Sequence, residues 1–213
     1  MTFIEQSIKV KRSELCFFDI SKAFDKVWHK GPLFKLEKIG IRGPILHWFL
    51  SYLNDRKQCV VINGIKSELV NIQAGVPQGS ILEPLLFLIY INDLVTDIHC
   101  KIKLFADDTS IYITVENALV SGDLLNNDLE IINTWSKKWL VSFNPSKTEC
   151  MTISMKKKKP FHPSLIFDNV HLKEVESHKH LGITICNNLS WNPHVNEMLS
   201  KAYAKLGLMR KCK

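Results

Sequence analysis

Short apolar runs and amphipathic stretches alternate along the chain, and the two kinds of pattern predict different elements. Apolar residues that recur every three or four positions predict helices, whereas alternation or a short apolar run between turn residues predicts a strand. The predicted helices cover residues 2–12, 22–40 with a break near Gly31 and Pro32, 44–55, 81–94, 122–140 and 192–211. The predicted strands cover residues 15–20, 101–105, 109–115, 150–155 and 179–185, and hairpins are predicted over 59–70 and 165–172.

The order of these elements indicates the fold class. Hairpins are mixed with helices, and strands and helices do not alternate strictly as they would in a parallel α/β fold. The chain carries no internal repeat and no segment with the composition of a domain linker. We therefore expect an α+β fold, with an antiparallel sheet packed on helices.

Composition is typical of a globular protein and gives a weak indication of its partners. Of the 213 residues, 46% are hydrophobic, which is enough for one domain with a sizeable core. There are 28 Lys and Arg against 21 Asp and Glu, a net charge of +7. This basic excess fits a polyanionic partner, and it equally fits ordinary solubility.

Cysteine spacing and the apolar runs bear on the compartment. The six cysteines lie far apart and none has zinc-site spacing, so buried free thiols in a reducing compartment are expected. The charged N-terminal segment is unlike a signal peptide, and the longest apolar run, over 84–91, is too short to cross a bilayer. The expected location is intracellular, in the nucleus, the cytoplasm or both, without a membrane partner.

Three aspartates stand next to predicted strands. Asp107 and Asp108 connect two strands, and Asp19 follows Phe17 and Phe18 at the end of an apolar run. The simple interpretation of Asp107 and Asp108 is a solvated Asp-rich turn. The simple interpretation of Asp19 is an acid that caps the next helix. If the two strands are neighbours, however, the carboxylates converge, and divalent cations with oxygen ligands would neutralise their repulsion. A pair of such ions suits phosphoryl transfer.

Two further segments fit a phosphate-bearing ligand. The loop QAGVPQGS (73–80) contains glycines that allow close approach of backbone, and Gln78 offers a neutral hydrogen-bonding group. It lacks the Gly-Lys-Ser/Thr sequence of a P-loop. Lys147 stands in the predicted turn NPSKTE (144–149), where it would reach a phosphate. The simpler alternative for the loop is an ordinary segment that leads into a helix. The simpler alternative for Lys147 is a solvated lysine in a turn.

Five segments, in order along nearly the whole chain, resemble one polymerase family. FFDISKAFDKVWH, AGVPQGSILEPLLFLIYINDL, LFADDTSIY and WLVSFNPSKTE are similar to its first four palm motifs, and HKHLGITICNNLSW is similar to its primer-grip region. The family is the reverse transcriptases of non-LTR (LINE-type) retrotransposons, with the greatest similarity to jockey, I and CR1-like elements. The resemblance implies a right-hand polymerase palm, formed by residues 1–185, followed by the start of a thumb or connection helix at 186–213.

The resemblance also implies an activity and its participants. The chain would add deoxynucleotides to the 3′ end of a DNA primer, copying an RNA template with two Mg²⁺ ions, or with Mn²⁺ as an alternative. On this basis Asp19, Asp107 and Asp108 are the catalytic, metal-binding carboxylates. The residues expected at the incoming nucleotide are Ile20 through its carbonyl, Phe24, Pro77, Gln78, Gly79 and Lys147. Phe24 matches the residue that excludes a ribose 2′-hydroxyl, although an aromatic at helical spacing is also typical of a core.

The primer end and the remaining parts of the polymerase complete these expectations. Leu181 and Gly182 correspond to the primer grip. The fingers and endonuclease of a longer retrotransposon polyprotein would be expected to precede the sequence and are absent from it, as is most of a thumb. Glu83 stands where the family usually has glycine, and a strained backbone or a disturbed nucleotide pocket would follow if that position requires a positive φ.

Two other functions are compatible with the same residues. A catalytically inactive, retrotransposon-derived fragment would at most bind nucleic acid, and Glu83 and the absent fingers favour this alternative. A metal-dependent nuclease built on the same acids would cleave without nucleotides. The order of the VPQGS and FADD segments suits nucleotide addition better than cleavage.

Overall fold

A computed structural model describes residues 12–156, 161 and 163–211 of the chain. The helix predicted at 2–12 lies outside these residues except for Arg12, which begins the first strand. The helices are α1 (Lys30–Lys38), α2 (Gly43–Leu53), α3 (Leu82–Ile91), α4 (Ala118–Trp139) and α5 (Asn192–Lys211), with a 3₁₀ turn at Asn92–Val95. The strands are β1 (Arg12–Phe18), β2 (Lys57–Gln58), β3 (Val61–Ile62), β4 (Ile65–Lys66), β5 (Val70–Asn71), β6 (Lys101–Phe105), β7 (Asp108–Thr114), β8 (Glu149–Ser154), β9 (Ile166–Phe167), β10 (Val170–His171), β11 (Lys173–Glu174), β12 (Ser177–His180) and β13 (Ile183–Cys186).

A five-stranded sheet in the order β11-β8-β1-β7-β6 forms the centre of the molecule. β1 is antiparallel to both of its neighbours, and β6 and β7 form an antiparallel hairpin. Only the short edge strand β11 runs parallel to its neighbour β8, so the sheet is mixed at that edge. The predicted α+β fold is confirmed.

Both faces of this sheet are covered. Cys16 and Phe18 of β1 pack with Ile111 of β7 and with Leu125 and Leu129 of α4. The alternate residues of β1 and its neighbours face the other way, where Ile185 of the β12–β13 hairpin packs on them. A third apolar cluster joins α1, α2 and α3 to the end of α4. Helices therefore cover one face, as predicted, and a hairpin covers part of the other.

The segment predicted as the first half of a helix, residues 22–29, is a series of turns. Lys22 has a φ of 52°, which interrupts a right-handed helix. The backbone carbonyls of Phe24 and Val27 accept hydrogen bonds from the N–H groups of Val76 and Gly75 (2.9 and 2.8 Å). The prediction was wrong here because a distant loop supplies the hydrogen bonds that a helix would have made within itself.

Two other boundaries differ from the predictions for local reasons. Helix α4 begins at Ala118, four residues before the predicted start, because Asn117 caps it and accepts from the N–H of Leu119 at 3.0 Å. The single strand predicted over 179–185 is a hairpin, since Leu181 and Gly182 both have positive φ and reverse the chain. The hairpin at Asn63–Gly64 is confirmed, with positive φ at both turn residues.

A buried carboxylate ties α4 to the start of β6. Asp128 is fully buried and accepts hydrogen bonds from the backbone N–H of Cys100 (2.7 Å) and of His99 (3.1 Å), and it contacts His99 Nδ1 at 2.9 Å. Burial raises the pKa of Asp128, but the hydrogen bonds from Cys100 and His99 outweigh this effect and hold the pKa below its ordinary value. This contact fixes the helix against the strand that leads to Asp107.

We expect Asp128→Asn to lower the free energy of unfolding by about 1–3 kcal/mol, because amide protons would then face the two backbone N–H donors. The contribution of Asp128 is present above the ordinary aspartate pKa of about 3.9 and is lost as the pH falls through the lowered folded-state pKa. Urea unfolding at neutral and acidic pH measures both effects. The control is Asp123→Asn, at an exposed position of the same helix, and equal stability of the two variants would contradict the assignment.

Candidate active site

The strand register brings two of the three predicted carboxylates to neighbouring positions. β1 pairs with β7 up to Phe18 opposite Thr109, so the next residue of each strand places Asp19 beside Asp108. Asp107 occupies the two-residue turn of the β6–β7 hairpin, in which Phe105 pairs with Asp108. Asp107 and Asp108 are exposed and Asp19 is half-buried. All three therefore lie at one end of the sheet, where water or a ligand reaches them.

The donors at this end are those that a hard divalent cation prefers. Carboxylate oxygens suit Mg²⁺, which typically takes one or two carboxylates together with substrate phosphates. Among the described residues, no group of three His, Cys, Asp or Glu side chains is arranged so that it could hold a metal ion. A divalent cation at this end of the sheet would therefore need further ligands from substrate, water or backbone.

Backbone pairing beyond β1 fixes Asp19 and Ile20. The carbonyl of Asp19 accepts from the N–H of Asn144, and Ser21 donates to the carbonyl of Ser142, both at 2.8 Å. Ile20 lies opposite Phe143 between these bonds. In an antiparallel pair of this type the flanking residues make the hydrogen bonds, so the carbonyl of Ile20 points to the other side, where β7 lies. This orientation is compatible with the predicted role of that carbonyl as a ligand.

The same pairing positions Lys147 near Asp19. Asn144 begins a turn in which its carbonyl accepts from the N–H of Lys147 (3.1 Å) and its side-chain oxygen accepts from Ser146 (3.1 Å). Lys147 Nζ lies 3.9 Å from Asp19 Oδ2. An exposed cation therefore lies beside Asp19 and remains available to an anionic ligand.

The loop at 73–80 is attached to the turns that follow β1. Gly75 has a φ of +92°, and a Cβ there would lie 2.7 Å from the carbonyl oxygen of Asp25, so only glycine fits. Gln78 is exposed and donates from Nε2 to Asp25 Oδ1 at 2.7 Å. The structure thus joins Gln78 to the segment carrying Asp19 and Phe24. Asp25 is its direct partner.

Phe24, Pro77 and Gly79 surround this attachment. Phe24 is half-buried and its ring lies 4.7 Å from that of Phe87, centroid to centroid, at the edge of the core. Its backbone carbonyl holds Val76, next to Pro77. Phe24 therefore belongs partly to the core and partly to the surface beside the loop, so the two interpretations offered by the sequence are compatible.

The predicted primer grip is the turn of the β12–β13 hairpin. Leu181 is half-exposed there, and Gly182 follows it in the turn. The ring of His178 stacks on Phe17 at 3.9 Å, and His178 Nδ1 lies 2.9 Å from Glu149 Oε2. These contacts dock the hairpin on the sheet at the end that carries the aspartates. No local pattern indicated His178, because its partners are distant along the chain.

His180 lies on the same hairpin, and its ring centroid is 5.2 Å from that of Phe17. Burial lowers the pKa of His180, and the negative charge of Asp108 acts in the opposite direction. The β12–β13 hairpin therefore lies close enough to Asp108 for the two to interact electrostatically. Sequence analysis had related the two segments only through the family resemblance.

The strain considered for Glu83 does not arise. Glu83 lies in the first turn of α3, and it is not among the described residues with positive φ. Pro84 follows it in the same first turn, where proline is tolerated. Glutamate is compatible with this backbone, whatever the family has at the position.

Comparison with known proteins decides the family. Residues 4–185 match the family described as reverse transcriptase (RNA-dependent DNA polymerase). The chain belongs to the reverse transcriptase family. It is 29% identical over 202 residues to the RNA-directed DNA polymerase from mobile element jockey of Drosophila melanogaster, and 27% identical over 197 residues to the Pol polyprotein from retrotransposable element R2 of Popillia japonica. The resemblance to non-LTR retrotransposon reverse transcriptases is thereby confirmed.

These alignments cover 91% and 83% of this reverse transcriptase chain, but only 22% of the jockey protein and 31% of the R2 polyprotein. Solved structures give the same fold. Telomerase from Candida tropicalis aligns with a TM-score of 0.58 at 12% identity, over 88% of this chain and 36% of that one. Telomerase from Candida albicans aligns with a TM-score of 0.54 at 16% identity, over 84% and 30%. The predicted polymerase-palm fold is confirmed.

Across the described ranges of this reverse transcriptase chain, no helix is both long and apolar enough to cross a membrane.

The turn that carries Asp107 gives a testable prediction. Ala106 has a φ of 52°, a conformation that β-branched residues strongly disfavour. We expect Ala106→Val to lower the free energy of unfolding by about 1–3 kcal/mol relative to Ala106→Gly, measured by urea unfolding. Glycine adopts this φ without a steric cost and serves as the matched control. Equal stability of the two variants would show that the hairpin does not require a left-handed residue at 106.

Proposed function

We propose that this chain is the catalytic palm of an RNA-directed DNA polymerase that transfers deoxynucleotides to a primer 3′ end. The observation that carries the proposal is the register of β1 and β7, which places Asp19 beside Asp108 at the end of the sheet where Lys147 also lies. Opposite charges at one edge suit a substrate that brings both a divalent cation and a triphosphate. Membership of the reverse transcriptase family supports the same reaction.

Each chemical requirement of nucleotide transfer has a corresponding group. Two Mg²⁺ ions, when bound, would stabilise the attacking and leaving oxygens of the phosphoryl transfer. Asp19 and Asp108, with Asp107 in the adjoining turn, are proposed to hold them, and the carbonyl of Ile20 points to the same side. Lys147 would lie near the triphosphate and supply a positive charge or a proton to the departing pyrophosphate.

The proposed substrates follow from the surroundings of these groups. Gln78 is proposed to contact the nascent base pair, because the hydrogen bond to Asp25 and the bonds of Gly75 and Val76 hold it to the motif that carries Asp19. Leu181 and Gly182 would support the primer end, since their hairpin is docked on the sheet beside Asp108. RNA template, DNA primer and deoxynucleotides are therefore the proposed partners, within a longer retrotransposon polyprotein.

The alternative of an inactive remnant is weakened. Its structural support was strain at Glu83, and the helical backbone there gives no such strain.

An intracellular site of action, in the nucleus, the cytoplasm or both, is part of the same proposal. In its favour, the described cysteines are free thiols, four of them buried, as in a reducing compartment.

The first prediction from the proposed function concerns the carboxylates. On a primer annealed to an RNA template, we expect Mg²⁺-dependent extension by the wild-type chain. Asp19→Asn and the double change Asp107→Asn with Asp108→Asn should each reduce the rate by at least about 100-fold, because the charges that hold the cation are removed.

Asp123→Asn, which removes an exposed carboxylate from α4, is the matched control and should extend primers at the wild-type rate. Folding of all variants is compared by circular dichroism and thermal unfolding. Extension by the double variant at the wild-type rate would refute the proposed role of these aspartates. Cleavage of nucleic acid without nucleotides, in place of extension, would favour a nuclease.

A second prediction concerns sugar selection. If Phe24 is the residue that excludes a ribose 2′-hydroxyl, Phe24→Val should lower the ratio of kcat/KM for deoxynucleotides over ribonucleotides, by about 10-fold or more. The loss of packing against Phe87 predicts reduced stability as well, so the ratio, rather than the absolute rate, is the measurement. An unchanged ratio would assign Phe24 to the core alone.

A further inference from the structure

Glu83 makes a specific contact with the loop before α3. Its Oε2 accepts a hydrogen bond from the backbone N–H of Gly79 at 2.8 Å. Its own N–H donates to Ser80 Oγ at 3.1 Å. The spacing Ser80-x-x-Glu83 is that of a capping box, in which a hydroxyl and a carboxylate at a helix start satisfy N–H groups reciprocally. Here the Glu83 carboxylate accepts from the N–H of Gly79 in the loop, one residue before Ser80, whereas in a usual capping box it would accept from Ser80 itself.

The capping contacts extend to a second helix. Tyr52 of α2 donates its hydroxyl proton to Ser80 Oγ at 2.7 Å. Ser80 therefore joins α2 to the start of α3, and Glu83 joins the start of α3 to Gly79. Gly79 lies before α3 and has a φ of +81°, and its N–H therefore has no partner inside a helix. Without Glu83, no other described contact would hold this N–H.

The other end of the same loop is already fixed. Gly75 and Val76 are hydrogen-bonded to the turns after β1, and the side chain of Gln78 is bonded to Asp25. Between these points and α3, Gly79 is the flexible position, because glycine populates positive and negative φ with similar ease. The orientation of Gln78 thus depends on what holds the residue that follows it.

We propose that Glu83 is a positioning residue for the nucleotide pocket: its carboxylate holds Gly79 and thereby keeps Gln78 in the orientation that meets the incoming nucleotide. The catalytic consequence of this inference rests on the proposed function, whereas the hydrogen bond between Glu83 and Gly79 does not. It reverses the expectation drawn from the sequence, in which glutamate at this position disturbs the pocket. A pre-formed loop reduces the conformational entropy lost when the nucleotide binds.

The test compares Glu83→Ala with Glu83→Gln, in the full chain. Glutamine has the same length and retains an oxygen acceptor for the N–H of Gly79, whereas alanine has none and still suits a helix. Glu130→Ala, at an exposed position of α4, controls for the loss of one helical glutamate. The measurements are solvent exchange of the Gly79 amide proton by NMR and steady-state primer extension at varied deoxynucleotide concentration.

We expect Glu83→Ala to speed exchange of the Gly79 amide and to raise KM for the deoxynucleotide by about 3- to 10-fold, the size of one hydrogen bond, with kcat changed less than KM. Glu83→Gln should restore both values toward wild type, and Glu130→Ala should alter neither. A split between KM and kcat with rescue by glutamine is not expected from a residue that only stabilises α3.

Three results would overturn the inference. Gly79 exchange that is equal in wild type and Glu83→Ala would show that the carboxylate does not hold the loop. A changed exchange rate with unchanged KM would show that the loop does not position the nucleotide. A lower KM in both Glu83→Ala and Glu83→Gln would show that the charge obstructs the pocket, as the sequence suggested.

Failure of the proposed function gives a different pattern. If the wild-type chain neither extends primers nor binds a deoxynucleotide with Mg²⁺ in a direct titration, the polymerase proposal fails, and the role of Glu83 in catalysis fails with it. Faster Gly79 exchange in Glu83→Ala, with rescue by glutamine, would in that case leave the contact as a helix cap alone. The exchange measurement thus separates the two conclusions.

Discussion

The site depends on the double-sided pairing of β1. This strand is hydrogen-bonded to β7 on one edge and to β8 on the other, and its residues are buried on both faces. Burial of each large apolar side chain stabilises the fold by about 1.5–3 kcal/mol, so the register of this strand is strongly specified. A slip of one residue would exchange the two faces and separate Asp19 from Asp108. The position of the carboxylates is therefore a consequence of core packing.

Buried charges hold the helices that support this sheet, and each of them is partnered. Lys35 of α1 donates to Asp93 and to the carbonyl of Tyr90, and its Nζ lies 3.9 Å from the ring centroid of Trp139. Burial lowers the pKa of Lys35, and the hydrogen bond to Asp93 opposes this effect. Asp128 plays the corresponding part between α4 and β6. Together these contacts hold α1 and α4 against the elements packed beside them.

Local sequence predicted most of the elements but missed those that rely on distant partners. The hairpin over 59–70 and helix α3 were predicted from residues that act within a few positions. The turns at 22–29 were predicted as a helix because the apolar spacing is helical. Their conformation is instead held by hydrogen bonds from Gly75 and Val76, about fifty residues away along the chain. For the same reason Asp25 and His178 were not recognised as partners of Gln78 and Glu149.

The sequence by itself determined the family, the α+β class and the identity of the candidate residues, because ordered motifs and hydrophobic periodicity are properties of the chain alone. Tertiary structure decided how those residues meet: Asp19 lies beside Asp108, and Lys147 lies near Asp19. These arrangements depend on strand register and on hydrogen bonds between segments far apart in sequence. Such contacts form only when the whole core is packed, so no local pattern records them.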